Sequence, residues 1–224
     1  MAAREIPLLY VDEHLLVADK PAGMLSVPTP NAEGRTLLDA LRAQKLGPLT
    51  VHRLDRETSG AILFARDPGT RAALEEMFRL RAVKKTYWAL ARGRLRGAAG
   101  KFSFRIAEAG AVASVSPRGQ AAETRWRVLA QHPATTEVEV DLLTGRHNQI
   151  RLHFAHASHP LVGERKYARG AESPLALRSR RVALHAWRMS FAHPSGGARI
   201  EVEAPLPADL EELRLRATEQ QRAG

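Results

Sequence analysis

The sequence contains no cysteine, few aromatic residues and no long apolar stretch, and each absence narrows what the chain can be. Without cysteine the chain has neither disulfides nor thiolate metal ligands, which fits a reducing compartment. No segment approaches the roughly 18 consecutive apolar residues that a transmembrane helix requires, and the N-terminus lacks the apolar core of a signal peptide. We therefore expect a cytoplasmic protein without a membrane segment.

Positive charge, in contrast, is abundant. The 34 Lys and Arg residues against 24 Asp and Glu residues give a net charge of +10, and the pI is near 10.7. This balance favours a polyanionic partner such as nucleic acid. The length of 224 residues and the hydrophobic fraction of 44% allow one catalytic domain or two small ones. We predict a single domain over residues 1–224.

The apolar patterns predict more strands than helices. Strands are expected within 6–19 and at 61–65, 86–90, 123–130, 135–143, 183–191 and 198–204. Helices are expected after Thr36, Asp67 and Pro207 and from about Asn148. Because these elements lack regular βαβ alternation, they indicate an α+β fold on a largely antiparallel sheet. The segment 20–34 is rich in Pro, Gly, Ser and Asn and is interpreted as a long functional loop.

The most informative segment is 52–60, with the sequence HRLDRETSG. It places Asp55 between Arg53 and Arg56, directly before the apolar run 61–65. A charged loop that leads into a buried strand is typical of a solvated turn, and also of an active-site loop. Taken alone, the segment allows both interpretations.

Its longer form, HRLDRETSGAILFAR, resembles the central motif of the RluA-type pseudouridine synthases, enzymes that isomerise selected uridines in RNA. The same family is matched in the same order by DKPAGMLSVP at 19–28, KTYWAL at 85–90, LTGRHNQIRLH at 143–153 and PLVG at 160–163. The resemblance implies the pseudouridine synthase fold, a bent mixed sheet with peripheral helices. Many relatives also carry an N-terminal S4-type RNA-binding domain, and we expect none here because the catalytic pattern begins so close to residue 1.

Uridine isomerisation breaks the bond from C1′ to N1 and joins C1′ to C5, so it needs a carboxylate at the sugar but no metal or redox cofactor. The resemblance implies that Asp55 is this carboxylate and that Arg151, close to it in space, keeps it ionised in a dry pocket. It implies that Tyr87 stacks on the target base. Removal of the C5 proton is an alternative role for Tyr87, and an ordinary core position is another interpretation.

The resemblance also implies that Arg53 contacts RNA where the target base has left its stack, with a phosphate contact or a structural ion pair as alternatives. The predicted RNA-binding residues also include His52, which is expected to form hydrogen bonds within the loop, and Lys20 and Arg146, which are expected to meet phosphates. The basic runs near 79–85 and 178–181 fit either a track for the RNA backbone or solvated faces. The stretch 92–101, rich in Gly and Arg, fits either an RNA-facing connection or a solvated hairpin.

Two positions depart from the family pattern, which commonly has His at the place of Asn148 and Asp at the place of Glu164. We expect these departures to affect local RNA contacts more than catalysis. The spaced histidines His147, His153, His156 and His159 suggest a metal site, but no carboxylate motif accompanies them. We therefore predict no metal ligands among them.

Three functions are compatible with the sequence. The leading one is an RNA pseudouridine synthase that acts on specific uridines in rRNA and/or tRNA as a monomer, without a small-molecule cofactor. The second is a catalytically silent RNA-binding protein on the same fold. The third, a hydrolase or nuclease using Asp55 with His52, is disfavoured because neither paired carboxylates nor a metal motif supports it.

Overall fold

The computed structural model describes residues 5–29, 34–110, 112–168 and 177–219. They fall into two compact units, one made of the described residues up to Lys85 with Ala186–Pro205, the other of those in Thr86–His185 with those from Leu206 onward. Part of the predicted functional loop, 30–33, lies outside the described residues.

In chain order the elements are β1 (Leu8–Val11), β2 (Leu15–Lys20), α1 (Leu37–Ala43), β3 (Leu49–Thr50), β4 (Ser59–Ala65), α2 (Pro68–Arg79), β5 (Lys84–Arg92), β6 (Ala99–Phe102), β7 (Ile106–Ala109), β8 (Val112–Val115), β9 (Thr124–Gln131), β10 (Thr135–Leu142), α3 (Gln149–His156), β11 (Leu184–Ala192), β12 (Arg199–Glu203) and α4 (Ala208–Glu219). The strand pairs β1–β2, β2–β4, β3–β4, β5–β10, β9–β10, β6–β9, β7–β8 and β11–β12 are antiparallel. The predicted α+β fold on a largely antiparallel sheet is therefore confirmed.

In the first unit the strands are ordered β1, β2, β4, β11, with β3 beside β4 and β12 beside β11. Strand β4 is buried at every position, which explains its unbroken apolar run: both faces of the strand are covered, so alternation is not needed. Leu74 of α2 lies in the core, and Met77 and Phe78 pack against it. These three residues, spaced at i, i+3 and i+4, form one apolar face of the helix.

The first two helices begin where the sequence predicts. Thr36 caps α1 through a capping box with Asp39, and Asp67 caps α2 by accepting a hydrogen bond from the Thr70 backbone at 2.8 Å. Such caps satisfy backbone N–H groups that have no partner within the helix. The local sequence alone thus determines how these helices start.

In the second unit the strands are ordered β5, β10, β9, β6, and β7 and β8 form a separate hairpin. Strands β6 to β8 were not predicted, because their sequences AGKF, IAEA and VASV are rich in Ala and Gly, residues that favour strands weakly. The stretch 92–101 contains a packed turn: Leu95 is buried, and its backbone N–H donates to Thr136. Arg94 and Arg96 are exposed on this turn.

Across the described ranges, no helix combines the length and the apolar character needed to cross a membrane.

Candidate active site

The loop that carries Asp55 leads from β3 into β4. Asp55 is half-buried, Leu54 is buried, and Arg53 and Arg56 are exposed. The buried hydroxyl of Ser26 donates to the Leu54 carbonyl at 2.9 Å and accepts from the Leu54 N–H at 3.0 Å. One side chain thus satisfies both backbone groups of the residue directly before Asp55.

Lys20 holds the other side of this loop. It is fully buried, and its ammonium group donates to the carbonyls of Pro21 at 2.9 Å, Met24 at 2.6 Å and Arg56 at 3.2 Å. An ammonium group has three donors, so these contacts account for them within the protein. They favour a role in shaping the two loops over the phosphate contact that the sequence analysis assigned to Lys20.

A further pair of hydrogen bonds joins the same two loops. The Gly23 N–H donates to the Arg56 carbonyl at 2.8 Å, and the Arg56 side chain donates back to the Gly23 carbonyl at 2.9 Å. These contacts give a physical reason why the segments 19–28 and 52–60 occur together: the first fixes the backbone of the second. Beyond Asp55, Gly60 has φ +109°, and a Cβ there would lie 2.2 Å from the Ala186 carbonyl oxygen, so only glycine fits.

His52 is built into this support. Its Nε2 accepts from the Leu63 N–H at 3.0 Å, and its ring lies 4.6 Å from that of Phe78. Burial, followed by the charge of Lys85, lowers the pKa of His52 to about 3, so the ring is neutral at pH 7. The hydrogen-bond partner of His52 lies on strand β4 and not within the loop. These contacts favour a structural role of His52 over a contact with RNA.

In the second unit, α3 carries Arg151, and Gln149 fixes the start of this helix. The Gln149 amide donates to the Glu123 carbonyl and to the Thr124 hydroxyl, both at 2.9 Å. Its oxygen accepts from the Thr144 hydroxyl at 2.7 Å and from the Arg146 N–H at 3.1 Å. A buried amide that uses all of these groups holds the segment 143–149 in one conformation. This explains the Gln of the family motif in structural terms.

The guanidinium of Arg151 forms a bidentate ion pair with Glu164. Arg151 Nε lies 2.7 Å from Glu164 Oε2, and Nη2 lies 3.0 Å from Oε1. Arg151 is 7% exposed and Glu164 is 3% exposed. Burial by itself raises the pKa of Glu164, but hydrogen bonds from Arg151 and the backbone outweigh it, and the net pKa is lowered. The carboxylate is therefore ionised at pH 7.

From the sequence, only Asp55 was predicted as a partner of Arg151, and Glu164 was expected to affect RNA contacts. The ion pair with Glu164 was missed, although Glu164 directly follows the matched motif PLVG. Tyr167 was missed as well: its ring lies 5.6 Å from the Arg151 guanidinium carbon, and its hydroxyl accepts from the Asn148 amide at 2.6 Å. The contacts of Arg151 with Glu164 and of Asn148 with Tyr167 join residues more than ten positions apart, so no local sequence pattern predicts them.

Tyr87 lies on β5 opposite Val140 of β10 and is 6% exposed. Its neighbour Trp88 is also buried and donates through Nε1 to Glu137 at 2.6 Å. Successive side chains of a strand point to opposite faces, so the two rings lie on different sides of the sheet.

The histidines have structural partners. His153 is fully buried, and its Nε2 lies 3.1 Å from the Phe104 carbonyl oxygen. Burial is the main cause that lowers the pKa of His153 to about 4. His159 Nδ1 lies 3.0 Å from the Arg92 carbonyl oxygen. In the part of the chain that the structure describes, no group of three or more His, Asp and Glu residues is placed to hold a metal ion.

Comparison with known proteins agrees with these motifs. Residues 14–156 match the model of a family described as RNA pseudouridylate synthase. The chain belongs to the RNA pseudouridylate synthase family. An uncharacterized RNA pseudouridine synthase of Bacillus subtilis is 37% identical over 220 residues. The ribosomal large subunit pseudouridine synthase D of Nitrosomonas europaea is 36% identical over 225 residues. The resemblance to the RluA-type enzymes is thus confirmed.

These two alignments cover 93% and 94% of this pseudouridine synthase chain, which spans 71% and 65% of the respective relatives. Among solved structures, the human RNA pseudouridylate synthase domain containing 4 has a TM-score of 0.80 at 22% identity, covering 94% of this chain and 92% of that one. At that identity the match shows the fold, and it confirms the predicted pseudouridine synthase fold.

Proposed function

We propose that the chain isomerises specific uridines in rRNA and/or tRNA to pseudouridine, with Asp55 as the catalytic carboxylate. The observation that carries this proposal is the loop framework around Asp55. Ser26, Lys20 and Gly23 bind the backbone on both sides of Asp55, so this residue is carried by a loop of defined conformation. The relative named ribosomal large subunit pseudouridine synthase D supports rRNA as a substrate.

In the proposed reaction, the Asp55 carboxylate attacks C1′ of the target uridine or assists deprotonation at the sugar. The bond from C1′ to N1 breaks and its electrons stay on the base, which turns. A bond then forms from C5 to C1′; in this step the bond from Asp55 to C1′ breaks or, in the deprotonation route, the sugar regains its proton. The C5 proton leaves and N1 gains a proton, so the product is an isomer of the substrate. These steps need neither an oxidant nor a reductant.

The family motifs assign the supporting roles. Arg151 keeps the carboxylate ionised, since a nearby guanidinium favours the charged form. Tyr87 stacks on the base, an interaction worth about 1 to 3 kcal/mol; removal of the C5 proton is the alternative role. Arg53 is exposed in the Asp55 loop, where it can contact RNA that has released the target base.

Arg146 is proposed as a phosphate contact, since its side chain is half-buried at the start of α3 and retains some exposure. The net charge of +10 supports a polyanionic substrate. We further propose that both units act as one catalytic domain, because the family match at 14–156 includes residues of each. The working form is taken to be a cytoplasmic monomer.

The test is to incubate the protein with transcribed rRNA and tRNA and to map pseudouridine at nucleotide resolution. We expect product with the natural chain and none with Asp55→Asn. Glu75→Gln is the matched control, because Glu75 is an exposed carboxylate on α2 of the same unit and should leave activity unchanged.

Retained RNA binding without any product would contradict the proposal and favour a catalytically silent RNA-binding protein. Cleavage of the RNA would favour a nuclease. Product formed equally by the natural chain and by Asp55→Asn would exclude Asp55 as the catalytic carboxylate.

A further inference from the structure

The ion pair between Arg151 and Glu164 uses one particular edge of the guanidinium. The hydrogen bonds run from Nε and Nη2 to the two carboxylate oxygens. This side-on fork fixes the plane of the guanidinium, because two parallel hydrogen bonds remove rotation about the last side-chain bond. The direction of the remaining amino group, Nη1, is therefore determined by Glu164.

Glu164 is itself held firmly. In addition to Arg151, its Oε1 accepts from the Lys166 N–H at 2.7 Å and from the Tyr167 N–H at 3.1 Å. The Glu164 side chain is completely buried. A buried carboxylate with four donors cannot change rotamer without losing several charge-assisted hydrogen bonds. Glu164 is thus held in one conformation and fixes the position of the Arg151 guanidinium.

The backbone before Glu164 explains why the carboxylate lies there. The Val162 N–H donates to Leu90 and the Val162 carbonyl accepts from Ala183, both at 2.8 Å, so the segment is bound on two sides. Gly163 has φ +81°, and a Cβ there would lie 1.9 Å from the Arg181 carbonyl oxygen. Only glycine permits this turn, and the turn directs Glu164 towards α3.

We propose that Glu164 is a positioning residue for the isomerisation: its fork to Arg151 holds the guanidinium in the orientation that the reaction requires. This inference rests on the proposed function. Since Glu164 determines where the charged guanidinium lies, a misdirected guanidinium should slow the chemical step more than RNA binding. Misplacement of a reacting group by about 1 Å can cost on the order of a hundredfold in rate.

A second ion pair in the same unit, with a buried arginine and an exposed carboxylate, provides the control. Arg181 forms a similar fork with Asp209, with Nε to Oδ2 at 2.6 Å and Nη2 to Oδ1 at 3.0 Å. Arg181 is 8% exposed, close to the value for Arg151. Arg181 belongs to the basic run 178–181, and its guanidinium is bound to Asp209 of α4. Neither residue of this pair has a role in the proposed reaction.

The experiment compares Glu164→Gln, Glu164→Asp and Asp209→Asn at a temperature where circular dichroism shows each variant folded. We expect Glu164→Gln to lower kcat by about tenfold to a hundredfold, with KM for RNA within about threefold of the natural value. Glu164→Asp keeps the charge and both acceptors but is one methylene shorter, so its kcat should lie between that of Glu164→Gln and that of the natural chain. Asp209→Asn should lower the thermal midpoint but leave kcat unchanged.

A second set of variants applies if Glu164→Gln does not fold. Arg151→Met alone leaves the buried Glu164 carboxylate unpaired, whereas the double variant Arg151→Met with Glu164→Gln removes both charges and leaves no unpaired buried ion. If Glu164 acts only through Arg151, both should have the same residual kcat. A further loss in the double variant overturns the inference.

The possible failures can be told apart. A natural chain without activity on any RNA overturns the proposed function, and the inference with it. An active natural chain combined with a Glu164→Gln variant whose kcat is no lower than that of Asp209→Asn overturns the inference alone.

Discussion

The two charged residues at the centre of the proposed reaction, Asp55 and Arg151, lie in supports of different construction. Around Asp55, hydrogen bonds from Ser26, Lys20 and Gly23 hold the backbone of its neighbours Leu54 and Arg56. At Arg151, the side chain itself is bound, through a buried fork to Glu164. A reactive carboxylate can be positioned through its main chain, whereas a long flexible guanidinium must be fixed at its end.

This difference has an energetic consequence. The bonds from Ser26 and Lys20 to the loop backbone persist when the Asp55 side chain is altered, so we expect chemistry and stability to be separable there. Removal of one partner of a buried ion pair leaves the other charge uncompensated. Chemistry and stability are therefore coupled at Arg151.

The largest expected effect tests this separation directly. Asp55→Asn should reduce pseudouridine formation by on the order of a thousandfold or more while the free energy of unfolding stays within about 0.5 kcal/mol. Arg151→Ala should also abolish activity, but should in addition lower the free energy of unfolding by about 3 to 5 kcal/mol. Urea denaturation and a fixed-time pseudouridine assay measure both quantities. Equal stability losses in the two variants would remove the distinction.

The next effect concerns the framework of the Asp55 loop. Lys20→Met should lower the free energy of unfolding by about 2 to 4 kcal/mol, because three loop carbonyls lose a charged donor. Activity should fall with stability, since the backbone of Arg56 is no longer held. Lys101→Met is the control, because Lys101 is exposed. If Lys20→Met were as stable as the control, the buried ammonium would not support the loop.

The helices and strands could be predicted from the sequence better than the contacts between side chains. Helices α1 and α2 were foreseen because Thr36 and Asp67 carry their caps locally. Strand β4 was foreseen from its unbroken apolar run. Strands β6 to β8 were missed because an Ala-rich strand is defined by its neighbours and not by its own composition.

The candidate site divides in the same way. The identities of Asp55, Tyr87 and Arg151 come from motifs, and their roles stay predictions. The structural roles of Lys20 and Glu164 could not be predicted from the sequence. A lysine or glutamate in a motif is usually exposed and is therefore interpreted as a substrate contact until its burial is known. Burial depends on contacts far apart in sequence, such as that of Lys20 with residue 56.

A smaller effect is expected at Ser26. Ser26→Ala removes the partner of both backbone groups of Leu54, and a buried group left without a hydrogen bond costs about 1 to 3 kcal/mol. We expect a loss in this range, with a modest fall in kcat because the loop loses one support and keeps that of Lys20. Thermal denaturation and initial rates measure the two effects. An unchanged midpoint would show that solvent replaces the hydroxyl.

The smallest expected effect is a dependence of the free energy of unfolding on pH. It arises from one histidine in each unit, His52 in the first and His153 in the second. The pKa values of His52 and His153 are lowered by burial to about 3 and about 4, against about 6.5 in an unfolded chain. Between pH 6.5 and these values the unfolded chain binds more protons, so the free energy of unfolding falls with falling pH. The slope is at most about 1.4 kcal/mol per pH unit for each group.

Urea midpoints of the natural chain, His52→Gln and His153→Gln at pH 7 and pH 5 measure this dependence. Each variant should be less stable at pH 7, yet lose less stability on going to pH 5, because one group that resists protonation is gone. His52 supports the Asp55 loop and His153 lies on the helix of Arg151, so the two slopes report on the two supports separately. If both variants kept the full slope of the natural chain, the carboxylates would have to account for the acid sensitivity instead.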